Sequence, residues 1–485
     1  MAPQMASYQT NRTYSSKVLL PGDPEYEICR RNNPNSDTPD LFPQEIHVVH
    51  TADDVSKALK RASELGVTVG VRSGGHNLFN GHLKHGILID TSRLNRRVEY
   101  DPLTQEINFG PAVRNDELGA ALEKANRFYP HGHCPTVAVS GYHLGGGQGL
   151  AMRGFGPTCR DWLTQLEVVV PDGRVVIASP TENDDLFWAA RGGGPAFPGV
   201  ISKFWGRTAP STKLWEQTIT FDLGKNFKPL MKWFLAQAAK TPRLGTEINC
   251  GIAYDSKERA TELPDQPPAD ARLLFIVMNN GIADTEPEAK SLLRAYEAIP
   301  DDLRSSVIEI NNTHQISISD LFTFQNYLWT ADNGEKWQLH GLCFDESVDL
   351  DRLLDIAEPR LTDIPTNHSN TLAIVCNFEP AESECAFSTP MYLYLMSFAG
   401  WQDDSSSVKL RQHFRRHYKD LLPLSSGMYA CDYDVTSDES NSKPISDSAL
   451  DRYLNICEKW DSQGLFPYRK LYVQTRDKMN ALWGK

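Results

Sequence analysis

The chain has 485 residues, 40% hydrophobic and 10% aromatic with ten Trp, a composition of well-packed globular domains that excludes a disordered chain. A net charge of −13 at pH 7 argues against a nucleic-acid partner, which needs a basic face, and no apolar run is long enough to span a membrane. The length exceeds what one hydrophobic core ordinarily supports, so two domains are expected.

Met1–Lys17 is polar and lacks the apolar stretch of a secretory leader. Nine cysteines, at 29, 134, 159, 250, 343, 376, 385, 431 and 457, show no CxxC and no regular spacing. That odd, unpatterned set predicts buried reduced thiols and a cytoplasmic protein.

Residues up to about 210 alternate strands and helices. Thr51 is placed to cap a helix whose Val55, Leu59, Ala62 and Leu65 share a face, with Gly66 as a left-handed terminator. Val67–Val71 is a short strand leading into Arg72-Ser73-Gly74-Gly75-His76, and Ile87–Asp90 is another. Val98–Tyr100 and Glu106–Phe109 flank a turn at Asp101-Pro102, and Asn115 or Asp116 opens a helix over 117–126. Leu166–Val170 and Arg174–Ala178 form a hairpin around Pro171-Asp172-Gly173; Thr181 is the expected cap of helix Asp184–Ala190. Gly199–Phe204 closes this part as a strand, and Ala209-Pro210 marks a boundary. Beyond it come longer elements: strands at 218–221, 273–278, 371–378 and 392–399, and helices at 227–239 and 287–298. The Pro- and acid-rich stretch 255–271 reads as an exposed loop.

Two glycine-dense loops carry the chemistry. One is Arg72–His76; the other runs from His133-Cys134-Pro135-Thr136 through Gly141 to Gly145-Gly146-Gly147-Gln148-Gly149. Each joins permissive backbone to a nucleophilic side chain, which suits wrapping a diphosphate in N–H groups while His and Cys stand beside the rest of a cofactor. Neither is a Walker loop or a nicotinamide fingerprint. A third run, Gly192-Gly193-Gly194, follows within ~130 residues, a clustering beyond what isolated structural turns produce. The cluster His131-Gly132-His133-Cys134 offers zinc-type ligands, but groups this close in sequence rarely all reach one ion, so no metal is expected. On spacing alone His76 also reads as a loop histidine bonded to backbone.

Val71–Asn77, Cys134-Pro135-Thr136-Val137, Gly141, Gly145–Gly147, Asp161, Leu186–Gly194 and Gly199-Val200-Ile201 together resemble the flavin-linked oxidases of the vanillyl-alcohol oxidase superfamily, in the berberine bridge enzyme-like branch. The resemblance covers roughly residues 40–210. It implies an α+β protein with an FAD-binding domain of two α/β subdomains (1–210, with a return segment at 426–485) and a substrate domain (211–425) whose antiparallel sheet is covered by helices. It implies FAD held by two covalent bonds, from His76 to the 8α-methyl carbon and from Cys134 to C6. Arg72, Ser73, Gly74, Gly75, His76, Asn77, Cys134, Val137, Val139, Gly141, Gly145, Gly146, Gly149, Gly199 and Ile201 are the implied cofactor contacts.

Val139 stands where the oxygen-using members carry a valine, so O₂ is the expected electron acceptor. Ala138 and Ser140 replace glycines usual in the family, and the customary closing segment is not recognisable in Leu454–Lys485. Substrate oxidation of this kind needs a base for the hydroxyl or amine proton. Tyr429, Asp432 and Tyr142 are the catalytic candidates, with Tyr433 and Glu379 as further bases and His143, like Tyr142, placed to contact substrate; a tyrosine base would need a neighbour to lower its pKa, Tyr429 also reads as a packed ring, and Glu379 as a solvated loop residue. The expected enzyme is an FAD-dependent oxidase that oxidises an alcohol or dehydrogenates a small natural product and makes hydrogen peroxide. A flavin-containing cyclase is the alternative, with a flavin-storage protein and a zinc hydrolase behind it. Partners are a small-molecule substrate and O₂; oligomeric state is not legible.

Overall fold

Thr51 starts the first long helix as its spacing predicts. Its side chain takes the Asp54 N–H, Asp54 returns the bond, and Gly66 ends the helix at φ +64°. Val55, Leu59 and Ala62 are fully buried, whereas Leu65 is turned to the surface. This helix covers the first of three main sheets in a computed structural model that describes residues 18–255, 265–267, 272–328, 334–437, 439 and 441–484. The polar N-terminal stretch and most of the expected loop at 255–271 lie outside those residues.

The first sheet has the order β1 (Val18–Leu19), β2 (Glu45–Val48), β4 (Ile87–Asp90), β3 (Val69–Arg72). β2, β4 and β3 run parallel and β1 joins antiparallel. The next strands are β5 (Val98–Asp101), β6 (Glu106–Phe109), β7 (Arg127–Phe128), β8 (Leu163–Val169), β9 (Val175–Ala178), β10 (Val200–Arg207) and β11 (Ala209–Pro210). Five of them form an antiparallel sheet in the order β5-β6-β10-β8-β9, while β11 pairs only with β7. Both predicted hairpins are present. Helix Asp184–Ala190 forms, but Thr181 does not cap it. Its backbone N–H is drawn into a turn closed by Ser179 Oγ, and Asn183, at φ +45°, precedes the helix.

The third sheet lies wholly between Lys213 and Trp401. It comprises β12 (Lys213–Asp222), β13 (Thr246–Tyr254), β14 (Leu273–Ala283), β15 (Val307–Ile316), β16 (Lys336–Phe344), β17 (Asn370–Phe378) and β18 (Met391–Trp401). The order is β15-β12-β14-β13-β17-β18-β16, antiparallel throughout. Helices Phe227–Lys240, Glu286–Leu293, Leu350–Leu361 and Ser407–Lys419 cover one face. The helix expected over 287–298 ends at Leu293 and continues as a tighter 3₁₀ turn. Two layered units, the second an antiparallel sheet under helices, match the expected fold class.

The C-terminal segment comes back to the first unit through helices Asp447–Trp460 and Arg469–Trp483. Between them, Leu465 accepts the Val69 N–H at 2.9 Å, and the Tyr468 hydroxyl meets Gly81 O at 2.7 Å and His85 Nε2 at 2.6 Å. Among the described residues no disulfide forms, and seven of the nine cysteines are buried. Among the described residues no helix is long and apolar enough to cross a membrane.

Candidate functional site

Strand β3 delivers the chain into the first glycine loop, and the backbone N–H groups of Gly74, Gly75, His76 and Asn77 have no partner among the described residues. Four successive unpaired amides, with Gly75 at φ +70°, make a concave nest of donors suited to a phosphate group. A Cβ at Gly74 would lie 2.7 Å from the Ala138 Cβ, so glycine there lets the two loops touch. Both loops border one cavity of about 700 Å³, closed on its other side by the inner face of the third sheet through residues such as Thr218, Met278, Ile374 and Met396.

His76 and Cys134 both face this cavity. Thr136 Oγ1 holds His76 Nε2 at 2.7 Å, which leaves Nδ1 free. Enclosure, with the charge of Arg114, pulls the imidazole down to about 4, so it is neutral with a lone pair to offer. Enclosure pushes the Cys134 thiol up to about 12; its Sγ lies 3.7 Å from Gln325 Oε1. Asn77, Val137, Gly141, Gly145, Gly199 and Ile201 also line the cavity.

Several expected contacts fall elsewhere. Arg72 borders the cavity, but its guanidinium is buried against the Asp90 carboxylate and the Arg30 carbonyl. The Ser73 hydroxyl donates to Pro111 O at 2.6 Å. Val139 does not border the cavity, because its side chain is fully buried in the main core. Gly146 and Gly149 serve close packing instead. Added Cβ atoms would meet the Phe387 ring at 3.0 Å and the Tyr142 hydroxyl at 2.1 Å. His143 faces away too, held by Tyr129 and the Val139 carbonyl among Phe109 and Phe204.

Of the catalytic candidates, Tyr429, Asp432 and Tyr142 line the cavity and Tyr433 does not; the latter's hydroxyl is bound to Thr475 and Leu471 O. Glu379 is exposed beyond the end of β17. Burial raises the Tyr429 phenol further above its ordinary value, so it holds its proton; its oxygen accepts the Gln148 N–H at 3.1 Å. Tyr142 is likewise raised, and its hydroxyl is taken up by Thr158 and the Pro130 carbonyl. Burial lifts the Asp432 carboxyl well above the carboxylate range, and its Oδ2 has no hydrogen-bond partner among the described residues.

A further pair was not legible in the sequence. His133 Nε2 lies 2.8 and 2.9 Å from the two carboxylate oxygens of Glu247, on β13, and both residues border the cavity. Glu247 also accepts the Ala151 N–H and the Asn249 side-chain N–H, each at 2.9 Å. Burial opposes charge on both, but each partner outweighs it. The His133 imidazole is raised, and the Glu247 carboxyl is lowered with the help of the Ala151 and Asn249 donors. Nothing in local sequence announces a partner 114 positions away.

The nest, the neutral imidazole and the thiol on one wall fit a flavin dinucleotide. Comparison with known proteins agrees. Residues 43–179 match an FAD binding domain family. The FAD-linked oxidoreductase nodO of Hypoxylon pulicicidum is 37% identical over 191 residues, 39% of this chain and 42% of that protein. The FAD-linked oxidoreductase ptmO of Penicillium ochrochloron is 26% identical over 452 residues, 92% of this chain and 94% of its own. Among solved structures, the fold is similar to wild-type BBE-like 1 of Physcomitrella patens, with a TM-score of 0.76 and 19% identity over 94% of this chain and 96% of that one.

Proposed function

We propose that the chain, which matches an FAD binding domain family over residues 43–179 and is similar over 92% of its length to an FAD-linked oxidoreductase, is an FAD-linked oxidoreductase of the berberine bridge enzyme-like branch of the vanillyl-alcohol oxidase superfamily, and that it oxidises an alcohol, or dehydrogenates a small natural product, with O₂ as electron acceptor. The observation that carries this reading is the shared cavity, which sets His76, Cys134 and the amide nest opposite the third sheet. We assign FAD binding to 1–210 and 426–485 and substrate binding to 211–425. Val139, buried in the core away from the cavity, lends no support to this choice of acceptor, which rests on the resemblance to oxidases as a whole.

Bound FAD supplies a two-electron acceptor for hydride. The amides of Gly74–Asn77 would hold its diphosphate, and His76 and Cys134 are the residues that would tether its ring. Two tethers fix the ring without relying on affinity and leave the rest of the cavity to substrate. Proton removal falls to His133: Glu247 holds Nε2, orienting the ring and stabilising the imidazolium, so Nδ1 is the nitrogen that exchanges a proton. Tyr429, with its oxygen already accepting from Gln148, and the protonated Asp432 act as hydrogen-bond donors that position the substrate oxygen. Tyr142 supplies a ring wall, since its hydroxyl is otherwise engaged.

Acid precipitation tests the tethering directly. Wild type, His76→Ala and Cys134→Ala are expected to keep yellow pigment in the pellet, and only the double variant to release it. Release from either single variant overturns the two-bond assignment. In turnover, one O₂ consumed per product marks oxidation with O₂ as acceptor; product formed without O₂ uptake marks a redox-neutral cyclase.

A further inference from the structure

Helix Ser407–Lys419 carries His413 and His417 one turn apart, so both rings leave the same face. That face meets Asp363, in the segment between helix Leu350–Leu361 and β17. His417 Nε2 lies 3.0 Å from Asp363 Oδ2 and His413 Nε2 3.7 Å from the same oxygen. The three atoms all lie within 4.8 Å of one another. A tetrahedral ion with bonds of about 2.0–2.1 Å sets its donors about 3.3–3.4 Å apart, so the two carboxylate–imidazole edges are within about half an ångström of ligating distance.

The protons support the same reading. His417 Nδ1 is 2.6 Å from the His413 carbonyl oxygen, a contact only an N–H can make. With Nδ1 donating, Nε2 is the nitrogen that faces the carboxylate oxygen 3.0 Å away, and it is an acceptor there unless the ring takes a second proton. Two acceptors at that distance need a proton or a cation between them. Donating one ring N–H to a carbonyl while the other nitrogen faces outward is the usual posture of a metal-bound histidine. The His413 and His417 ring centroids are 4.3 Å apart, so the two rings lie side by side over the carboxylate. His413 Nε2 at present meets the Asp363 carbonyl at 2.9 Å, a bond that ligation would exchange. Lys409, one turn earlier, adds positive charge and limits affinity.

We propose that Asp363, His413 and His417 bind a divalent first-row ion, Zn²⁺ for choice, with water as fourth ligand. None of the three borders the cavity. The same helix packs on the outer face of the third sheet, where the Tyr418 hydroxyl meets Ser397 Oγ of β18 at 3.0 Å. The ion thus clips helix to loop behind the cavity floor, a structural site independent of the redox reading.

The test uses full-length, flavin-loaded protein without a polyhistidine tag, stripped with EDTA and titrated with Zn²⁺ by calorimetry near neutral pH. One equivalent is expected to bind and to raise the Tm, with the flavin spectrum unchanged. Asp363→Asn, close to isosteric, and His417→Ala are each expected to weaken binding more than about tenfold and abolish the rise in Tm. No binding by wild type up to about 100 μM Zn²⁺ overturns the proposal, as does undiminished binding by both variants.

Discussion

The carboxylate of Glu247 takes N–H groups from His133, Ala151 and Asn249 at the cavity wall, and its side chain is only 5% exposed. Removing one partner from such a pair leaves donors without an acceptor, at a cost of about 3 kcal/mol. The pH dependence follows from the two shifts. His133 is raised above its ordinary 6.5, so its contribution is complete below that value and fades as pH climbs through the folded pKa. Glu247 is lowered beneath its ordinary 4.5, so its contribution is complete above that value and fades as pH falls through the folded pKa. Between 4.5 and 6.5 both are in place. The Tm difference between wild type and Glu247→Gln is therefore expected to be largest near pH 6 and to shrink toward about pH 9. A gap that widened on the alkaline side would refute the pairing.

At the level of elements, the glycine run 192–194 has a role its resemblance to a cofactor loop did not suggest. Gly193 has an ordinary φ of −72°, yet a Cβ there would lie 2.2 Å from the Tyr453 ring and 2.4 Å from the Ala189 carbonyl. Gly194 abuts the Tyr472 hydroxyl, and Tyr472 donates to Gly193 O at 3.0 Å. Gly193 and Gly194 seat the two C-terminal helices, and Gly194 also borders the cavity. Gly193→Ala is expected to lower stability by about 1–3 kcal/mol, as overpacking does, while leaving the bound flavin per folded molecule unchanged. Thermal melts with flavin quantitation check this; loss of flavin at an unaltered Tm would place the run in the cofactor site instead. Elements with local punctuation were legible: Thr51 with Gly66, and the Pro171-Asp172-Gly173 turn. Others were not. β15 is a largely exposed edge strand whose Asn311-Asn312-Thr313-His314-Gln315 reads as loop until β12 pairs with it. Helix Leu350–Leu361 carries Pro359 near its end, which breaks the sequence pattern without breaking the helix.

Across the whole molecule, the site joins two units that the sequence describes unequally. His76 and Cys134 announced themselves because their loops are local, whereas the opposite wall is assembled from strands spread over β12 to β18 and leaves no short motif. That wall also sets the field. Glu216, Glu309 and Asp320 border the cavity, Glu309 and Asp320 exposed, while the sole Lys or Arg among the described lining residues, Arg72, spends its charge on Asp90. With a net charge of −13, the entrance should attract cations and repel anions. After chemical reduction of the bound flavin, a cationic acceptor dye is expected to reoxidise it about tenfold faster, relative to an anionic dye of similar potential, at low salt than near 1 M, where the Debye length falls to about 3 Å. Stopped-flow absorbance at two ionic strengths measures the ratio. Replacing both Glu309 and Asp320 by their amides should remove much of the salt dependence. A ratio indifferent to salt in the wild type would mean that these carboxylates do not guard the route to the flavin, and the same result would weaken the case for neutral or cationic substrates over carboxylates.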